Sequence, residues 1–202
     1  MSKPTFQEFL KLTESPDGHY GNWDGGDDMG MVGKILPENA KTRLNILTQT
    51  EDYTFYLKPN KSICYVVNNE LEGDLLKGTV LLVLKTGNFE LTCVNKTGLQ
   101  TNMVKSEEEA QRSGLAKTLY VSLIEHDNIL ICDYDQYDGA RALWKSLGKL
   151  TEYHKYMYNE IEDTLMSLHN FSDDNLWSFD NSNKRYKLLV VSKKVLDTNP
   201  KY

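Results

Sequence analysis

The reading of this chain turns on Met103–Gly148, MVKSEEEAQRSGLAKTLYVSLIEHDNILICDYDQYDGARALWKSLG. It opens on the β-type run that ends at Val104 and passes through an acidic loop, Glu107-Glu108-Glu109-Ala110. A small, glycine-containing turn, Gln111–Ala116, then leads into a helical stretch to Glu125. That stretch carries two apolar rows, Leu115-Leu119-Leu123 and Ala116-Tyr120-Ile124, enough to cover a sheet face broadly. Ile129-Leu130-Ile131-Cys132 follows as a continuous apolar run, the pattern of a strand buried on both faces. A second helix is expected from Ala140, Leu143, Trp144 and Leu147, with Asp138 as its N-cap. In outline the stretch is strand, turn, helix, strand, helix. The N-terminus of the first helix presents free N–H groups and the positive end of the dipole to an anion.

Upstream, Tyr53–Leu57, Ser62–Val67, Thr79–Leu84, Phe89–Val94 and Leu99–Val104 are short runs rich in β-branched and aromatic residues. Lys58-Pro59-Asn60, Leu71–Gly78, Lys85–Asn88 and Asn95–Gly98 separate them as turns, so an antiparallel meander is the simplest arrangement. A meander that runs into strand–helix–strand predicts an α+β fold whose mostly antiparallel sheet contains one parallel pair. After Gly148, Tyr153–Tyr158 alternates as a strand would, while Ile161, Leu165 and Leu168 fall at helical spacing. Phe171–Trp177 reads as loop, Asp180–Lys184 as a turn, and Arg185–Ser192 as a last strand.

The first fifty residues read differently. Thr5-Phe6-Gln7-Glu8 has capping-box spacing before a short helix, and Ser15–Gly33 is a glycine- and aspartate-rich loop. Asp24, Asp27 and Asp28 lack EF-hand spacing and a closing glutamate, so a solvated loop is expected in place of a cation site. Pro37 suits a first helical position, and Leu36, Ala40, Leu44 and Leu47 extend the pattern to about Leu47. Residues 1–50 are taken as part of the same domain as 51–196, with 197–202 as a flexible tail.

Composition bounds the function. The chain has 202 residues and a formal net charge of -6, which disfavours a general phosphate-backbone binder. No apolar run reaches membrane-spanning length and the N-terminus lacks a signal-peptide layout, so a cytoplasmic protein is expected. Cys64, Cys93 and Cys132 are scattered, and His19, His126, His154 and His169 show no ligand spacing; no metal site is expected. His126 suits a favourable charge at the end of a helix.

Gln111-Arg112-Ser113-Gly114-Leu115-Ala116 resembles the Gln/Arg-x-x-Gly-x-Gly/Ala motif of the GNAT superfamily of N-acetyltransferases. Ala140, Leu143, Trp144 and Gly148 match a later signature of that family. The combination Asp133-x-x-Gln136-x-x-Gly139-Ala140-x-x-Leu143-Trp144 is similar to a variant common in bacteriophage genomes. The resemblance covers about residues 53–158 and implies a GNAT-like sheet with a central acyl-CoA-binding unit. By the same carry-over, acetyl-CoA is the cosubstrate and an amine of a small molecule or protein is the acceptor. Its pyrophosphate would meet the backbone at Gln111, Ser113, Gly114, Leu115 and Ala116, with Arg112 pairing a phosphate. The pantetheine arm would lie along Asn102–Lys105, including Met103 and Val104, and Trp144 on the second helix would also contact the cofactor.

Two departures stand out. The family's usual Tyr, which protonates the leaving thiolate, is here Trp144, whose indole N–H is too weak an acid for that task. Val104 also lies two residues farther from Gly114 than is usual, which lengthens the acidic loop. Another group, such as Tyr134 or Tyr137, or water is then the candidate acid. Glu107 is a candidate base or an acidic rim, and Asp133 and Asp135 are either a base and an ammonium anchor or a cap and turn. The alternative is a catalytically degenerate fold that serves as a phage binding module or a virion-associated module with a protein partner.

Overall fold

The computed structural model describes residues 28–70, 76–108, 110–111, 113–134, 138–168 and 187–198. The expected helix at Thr5–Leu10, most of the glycine- and aspartate-rich loop and the loop and turn between Phe171 and Lys184 lie outside them. So do Glu109, Arg112, Asp135, Gln136 and Tyr137.

The chain folds as α+β around a mostly antiparallel sheet of nine strands. They are β1 (Asn45–Gln49), β2 (Tyr53–Leu57), β3 (Ile63–Asn68), β4 (Val80–Leu91), β5 (Lys96–Ser106), β6 (Leu130–Ile131), β7 (His154–Asn159), β8 (Thr164–Ser167) and β9 (Lys187–Ser192). The helices are α1 (Glu38–Lys41), α2 (Leu115–Glu125) and α3 (Asp138–Gly148). The order across the sheet is β1-β2-β3-β4-β5-β6-β9-β7-β8. Strands β1 to β5 form the meander, the β5–β6 pair is parallel, and β9 inserts between β6 and β7.

Alternation along β3 explains how two cores form. Cys64 and Val66 face the larger one, with Leu119, Leu123, Trp144 and Leu147 of the two long helices. Ile63, Tyr65 and Val67 face the other, under Leu36, Ala40 and Met31. A period of two delivers successive side chains to opposite faces, so a strand covered on both sides must be apolar throughout. The described N-terminal segment is therefore the lid of the second face. Its Asp28 is no solvated loop residue: the carboxylate accepts from Lys58 Nζ at 2.9 Å and from the Tyr65 hydroxyl at 2.6 Å.

Three expectations are corrected. The helix expected to run to Leu47 stops at Lys41, and Leu47 belongs to β1. Leu44 packs in the second core and Leu47 in the first, so spacing that suggested one helical face in fact serves two sheet faces. The expected turn at Lys85–Asn88 is continuous strand in β4, opposite a bulge in β5 where Asn102 is the extra residue between the partners of Lys85 and Thr86, and residues 92–94 form a single 3-10 turn. A β-carbon at Gly87 would lie 3.1 Å from Nδ2 of that Asn102, so the bulge side chain sits close over the glycine. The expected helix over Ile161–Leu168 is the β7–β8 hairpin, with Tyr158 opposite Leu165. Asn159 caps its turn by accepting from the Ile161 N–H at 3.1 Å, and Asp163 takes a left-handed φ of 45°. Both are turn-forming residue types.

The far end of the β4–β5 hairpin curls onto β7. Phe89 meets Tyr158 edge to face at 5.8 Å, and Asp163 Oδ1 accepts from the Cys93 N–H at 3.1 Å and the Tyr158 hydroxyl at 2.9 Å. Among the described residues no helix is long and apolar enough to cross a membrane.

Candidate functional site

Strands β5 and β6 touch only briefly. Their register holds Leu99 opposite Leu130 and Gln100 opposite Ile131, and the Leu99 N–H donates to the Ile129 carbonyl at 2.7 Å. Among the described residues, β5 beyond Gln100 pairs with β4 alone up to Ser106, while Cys132 after β6 stays with β9 through its N–H to the Leu189 carbonyl at 3.0 Å, so the β5–β6 pairing forks. Side chains close the apex of this fork. Thr101 Oγ1 donates to the Ile131 carbonyl and Gln100 Nε2 to the Cys132 carbonyl, each at 3.4 Å. Past the fork the β5 residues are exposed, Met103 by 55% and Val104 by 41%. Two exposed apolar side chains on a strand with an open edge make a surface for an extended, partly apolar group.

The loop from β5 to α2 is wound tightly. The Ala110 N–H donates to the Glu107 carbonyl at 3.2 Å, that of Gln111 to the Glu108 carbonyl at 3.1 Å, and that of Ser113 to the Ala110 carbonyl at 3.4 Å. Ser113 Oγ also donates to the Ala110 carbonyl, at 2.6 Å, and receives the Leu115 N–H at 3.4 Å. The N–H groups of Gln111 and Ser113 are thus engaged inside the loop. Those of the first turn of α2, Ala116 among them, have no carbonyl of their own helix to bind. Gly114 is the N-cap, in the left-handed region at φ 86°, and a β-carbon built there meets no atom within 4 Å. Only glycine takes this conformation freely, and the space above it is open. Leu115 is buried under the helix.

Glu107 is half-buried at the loop's start. Its N–H donates to the Leu81 carbonyl at 2.9 Å, and its carboxylate lies over Gly33, where a β-carbon would overlap Oε1. The N-terminal lid therefore borders the acidic loop. Asp133 stands just past β6, where its Oδ1 accepts from the Tyr134 N–H at 2.7 Å. The Tyr134 hydroxyl donates to Glu160 Oε1 at 2.9 Å, tying the fork to the β7–β8 turn. Burial, followed by the adjacent Glu160 carboxylate, pushes the Tyr134 phenol up to about 12; a hydrogen bond with Gln100 pulls the other way.

Trp144 is fully buried and packs edge to face on Tyr120 at 5.5 Å. The expectation of a ligand contact at this position meets a core side chain. No described group of His, Cys, Asp and Glu could hold a metal ion. Burial pushes the Cys64 and Cys132 thiols up to about 12, far from thiolate reactivity. His126 caps α2 and its Nδ1 lies 2.9 Å from the Ser122 carbonyl.

The structure thus gathers Asp133 and Tyr134 at the fork, leaves Met103 and Val104 exposed, and leaves the space at the Gly114 β-position open. Glu160 and Gln100 were missed by sequence reasoning. For Glu160 the available signal was the turn chemistry of Asn159 and Asp163, masked by the helical spacing after it. Comparisons with protein-family models, curated proteins and solved structures returned no match to this chain.

Proposed function

We propose that this chain is an acetyl-CoA-dependent N-acetyltransferase of GNAT type, transferring acetyl directly to a primary amine. The observation that carries the reading is the fork. A strand with an exposed, open edge leaves its parallel neighbour at Gln100/Ile131, and the next element is a helix opened by a left-handed glycine beneath free space. Such an arrangement suits a long thioester whose arm adds to the strand edge and whose phosphates sit at the helix N-terminus. The strand–helix–strand–helix order and the insertion of β9 between β6 and β7 support the same reading.

In this reading Met103 and Val104 flank the pantetheine arm, and the α2 first turn with Gly114 and Ala116 binds the pyrophosphate. Direct attack by an amine needs no covalent enzyme intermediate, in keeping with the inert thiols. Gly114→Trp tests it. The left-handed backbone adds only about 1–2 kcal/mol of strain, so the variant is expected to fold, and its side chain fills the open space. Loss of acetyl transfer with an unchanged circular dichroism spectrum is the expected result. Undiminished turnover counts decisively against the reading.

One observation favours a second reading, a degenerate fold kept as an interaction module. Trp144, in place of the family's acidic Tyr, is sealed in the core and can supply no proton to a thiolate. Saturable acetyl-CoA binding together with transfer to any amine would remove this alternative.

A further inference from the structure

The Tyr134 phenol has its proton aimed at a carboxylate, and that decides what it can do. A phenol held near 12 by burial and by Glu160 is a poor donor to a thiolate, whose conjugate thiol ionises near ~8.5 in the ordinary case. The transfer would run uphill by more than three decades. The opposite direction is open: the phenolic oxygen is an acceptor for an N–H, the role the Gln100 amide takes in the free protein, while its own proton points to Glu160 Oε1 at 2.9 Å. Glu160 is exposed, in the β7–β8 turn, and can release a proton to water. Gln100 is the last β5 residue paired with β6, so this acceptor position lies at the fork.

We propose that Tyr134 and Glu160 form a proton relay that deprotonates the attacking amine at the fork of β5 and β6. This inference rests on the acetyltransferase reading and assigns its base arm. The amine nitrogen forms a bond to the acetyl carbonyl carbon, the carbon–sulfur bond breaks, and its electron pair leaves on sulfur. The amine proton passes to the Tyr134 oxygen as the Tyr134 proton passes to Glu160, so the phenol ends neutral and the carboxyl protonated. Glu160 then loses that proton to water, and the thiolate leaves as such or takes a proton from solvent. Tyr134 is the catalytic residue of the pair. Glu160 acts through it, as a positioning residue that also receives the relayed proton. The groups bearing on the phenol are Glu160 from the β7–β8 turn, Asp133 from its own loop and the uncharged Gln100 from β5.

The test compares the full-length protein with Glu160→Gln, Glu160→Asp, Tyr134→Phe and the Tyr134→Phe/Glu160→Gln double variant. Calorimetric titration with CoA comes first: failure of the wild type to bind CoA overturns the acetyltransferase reading itself. With CoA bound, thiol release from acetyl-CoA is followed with L-lysine, spermidine and a free peptide N-terminus as acceptors. Glu160→Gln and Tyr134→Phe are each expected to lower kcat by about 10²-fold or more, with CoA affinity and the KM for acetyl-CoA unchanged. The double variant is expected to be no slower than either single, and Glu160→Asp to recover part of the rate. The gap between wild type and Glu160→Gln narrows as pH rises toward 10, because solvent then deprotonates the amine. A purely structural role would leave that gap constant. In phenolate absorbance, Glu160→Gln lowers the Tyr134 transition, read as the difference from a matched Tyr134→Phe protein. Wild-type kcat in Glu160→Gln, multiplicative losses in the double variant, an unmoved Tyr134 transition or CoA binding without transfer to any of the three amines each overturn the relay.

Discussion

Adding one methyl group at Gly98 tests how the parallel pair is built. A β-carbon there would lie 2.6 Å from Ile131 Cδ1 and 3.0 Å from the Ile129 carbonyl oxygen. Carbon atoms pack favourably at about 3.5–4.0 Å, so the methyl intrudes by roughly an ångström on the side chain. Neither neighbour yields easily. Ile131 is fully buried and β-branched, and the Ile129 carbonyl receives the Leu99 N–H at 2.7 Å. Overpacking of this kind costs about 1–3 kcal/mol, offset by ~0.5–1 kcal/mol for replacing a flexible glycine in a strand. The net loss spans roughly 0–2.5 kcal/mol, centred on about 1 kcal/mol, or a fall in Tm of roughly 2–4 °C at that centre for a chain of this size. Thermal unfolding followed by circular dichroism reads it, with Gly139→Ala as the control. Gly139 is in α3, and a methyl group added there would meet no atom within 4 Å, so that change is expected to stabilise or be neutral. Ile131→Val removes the closest atom, and its loss should be less than additive with that of Gly98→Ala. A Gly98→Ala protein more stable than the wild type would refute the reasoning.

Asp163→Ala removes the acceptor for the Cys93 N–H and the Tyr158 hydroxyl and places alanine at φ 45°. A loss of about 2–3 kcal/mol is expected in denaturant unfolding; a loss below about 0.5 kcal/mol, the scatter of ordinary surface changes, would mean that the bracket between the β4–β5 tip and β7 contributes little. Tyr134, Tyr153 and Tyr158 are each pushed from 10.0 up to about 12, by burial first and then by Glu160, Glu125 and Asp163 respectively. Their folded values lie above the unfolded one, so the stabilisation is complete below pH 10 and is lost as pH rises from 10 through 12. Equilibrium unfolding across that window should show stability falling with pH, and a flat profile to pH 12 would contradict the assignment.

Much of the sheet was legible because burial pattern and turn chemistry agreed. Tyr53–Leu57 matches β2 residue for residue, and Leu115–Glu125 and Asp138–Gly148 are the two long helices. What failed did so where two periods coincide. Leu44 and Leu47 sit three apart, which fits a helix face, yet they serve opposite faces of the sheet. Leu165 and Leu168 fit a helix as well, but Asn159 and Asp163 supply a turn between them and β7. Lys85-Thr86-Gly87-Asn88 has turn composition, but pairing with β5 from Leu82 to Leu91 overrides it. At the site, Gly114 stood out in the sequence as the glycine of a small turn entering a helix, and it is the left-handed N-cap of α2 at φ 86°. Glu160 was not, since its role depends on a hairpin that brings it to Tyr134 across 26 positions of sequence.

Isothermal titration of the folded protein with acetyl-CoA and with CoA addresses the proposed function most directly. Saturable binding in the micromolar range, lost in Gly114→Trp, is the expected result. No detectable heat at millimolar ligand, with the protein folded, would contradict it and leave the Gly114 turn as a structural helix start.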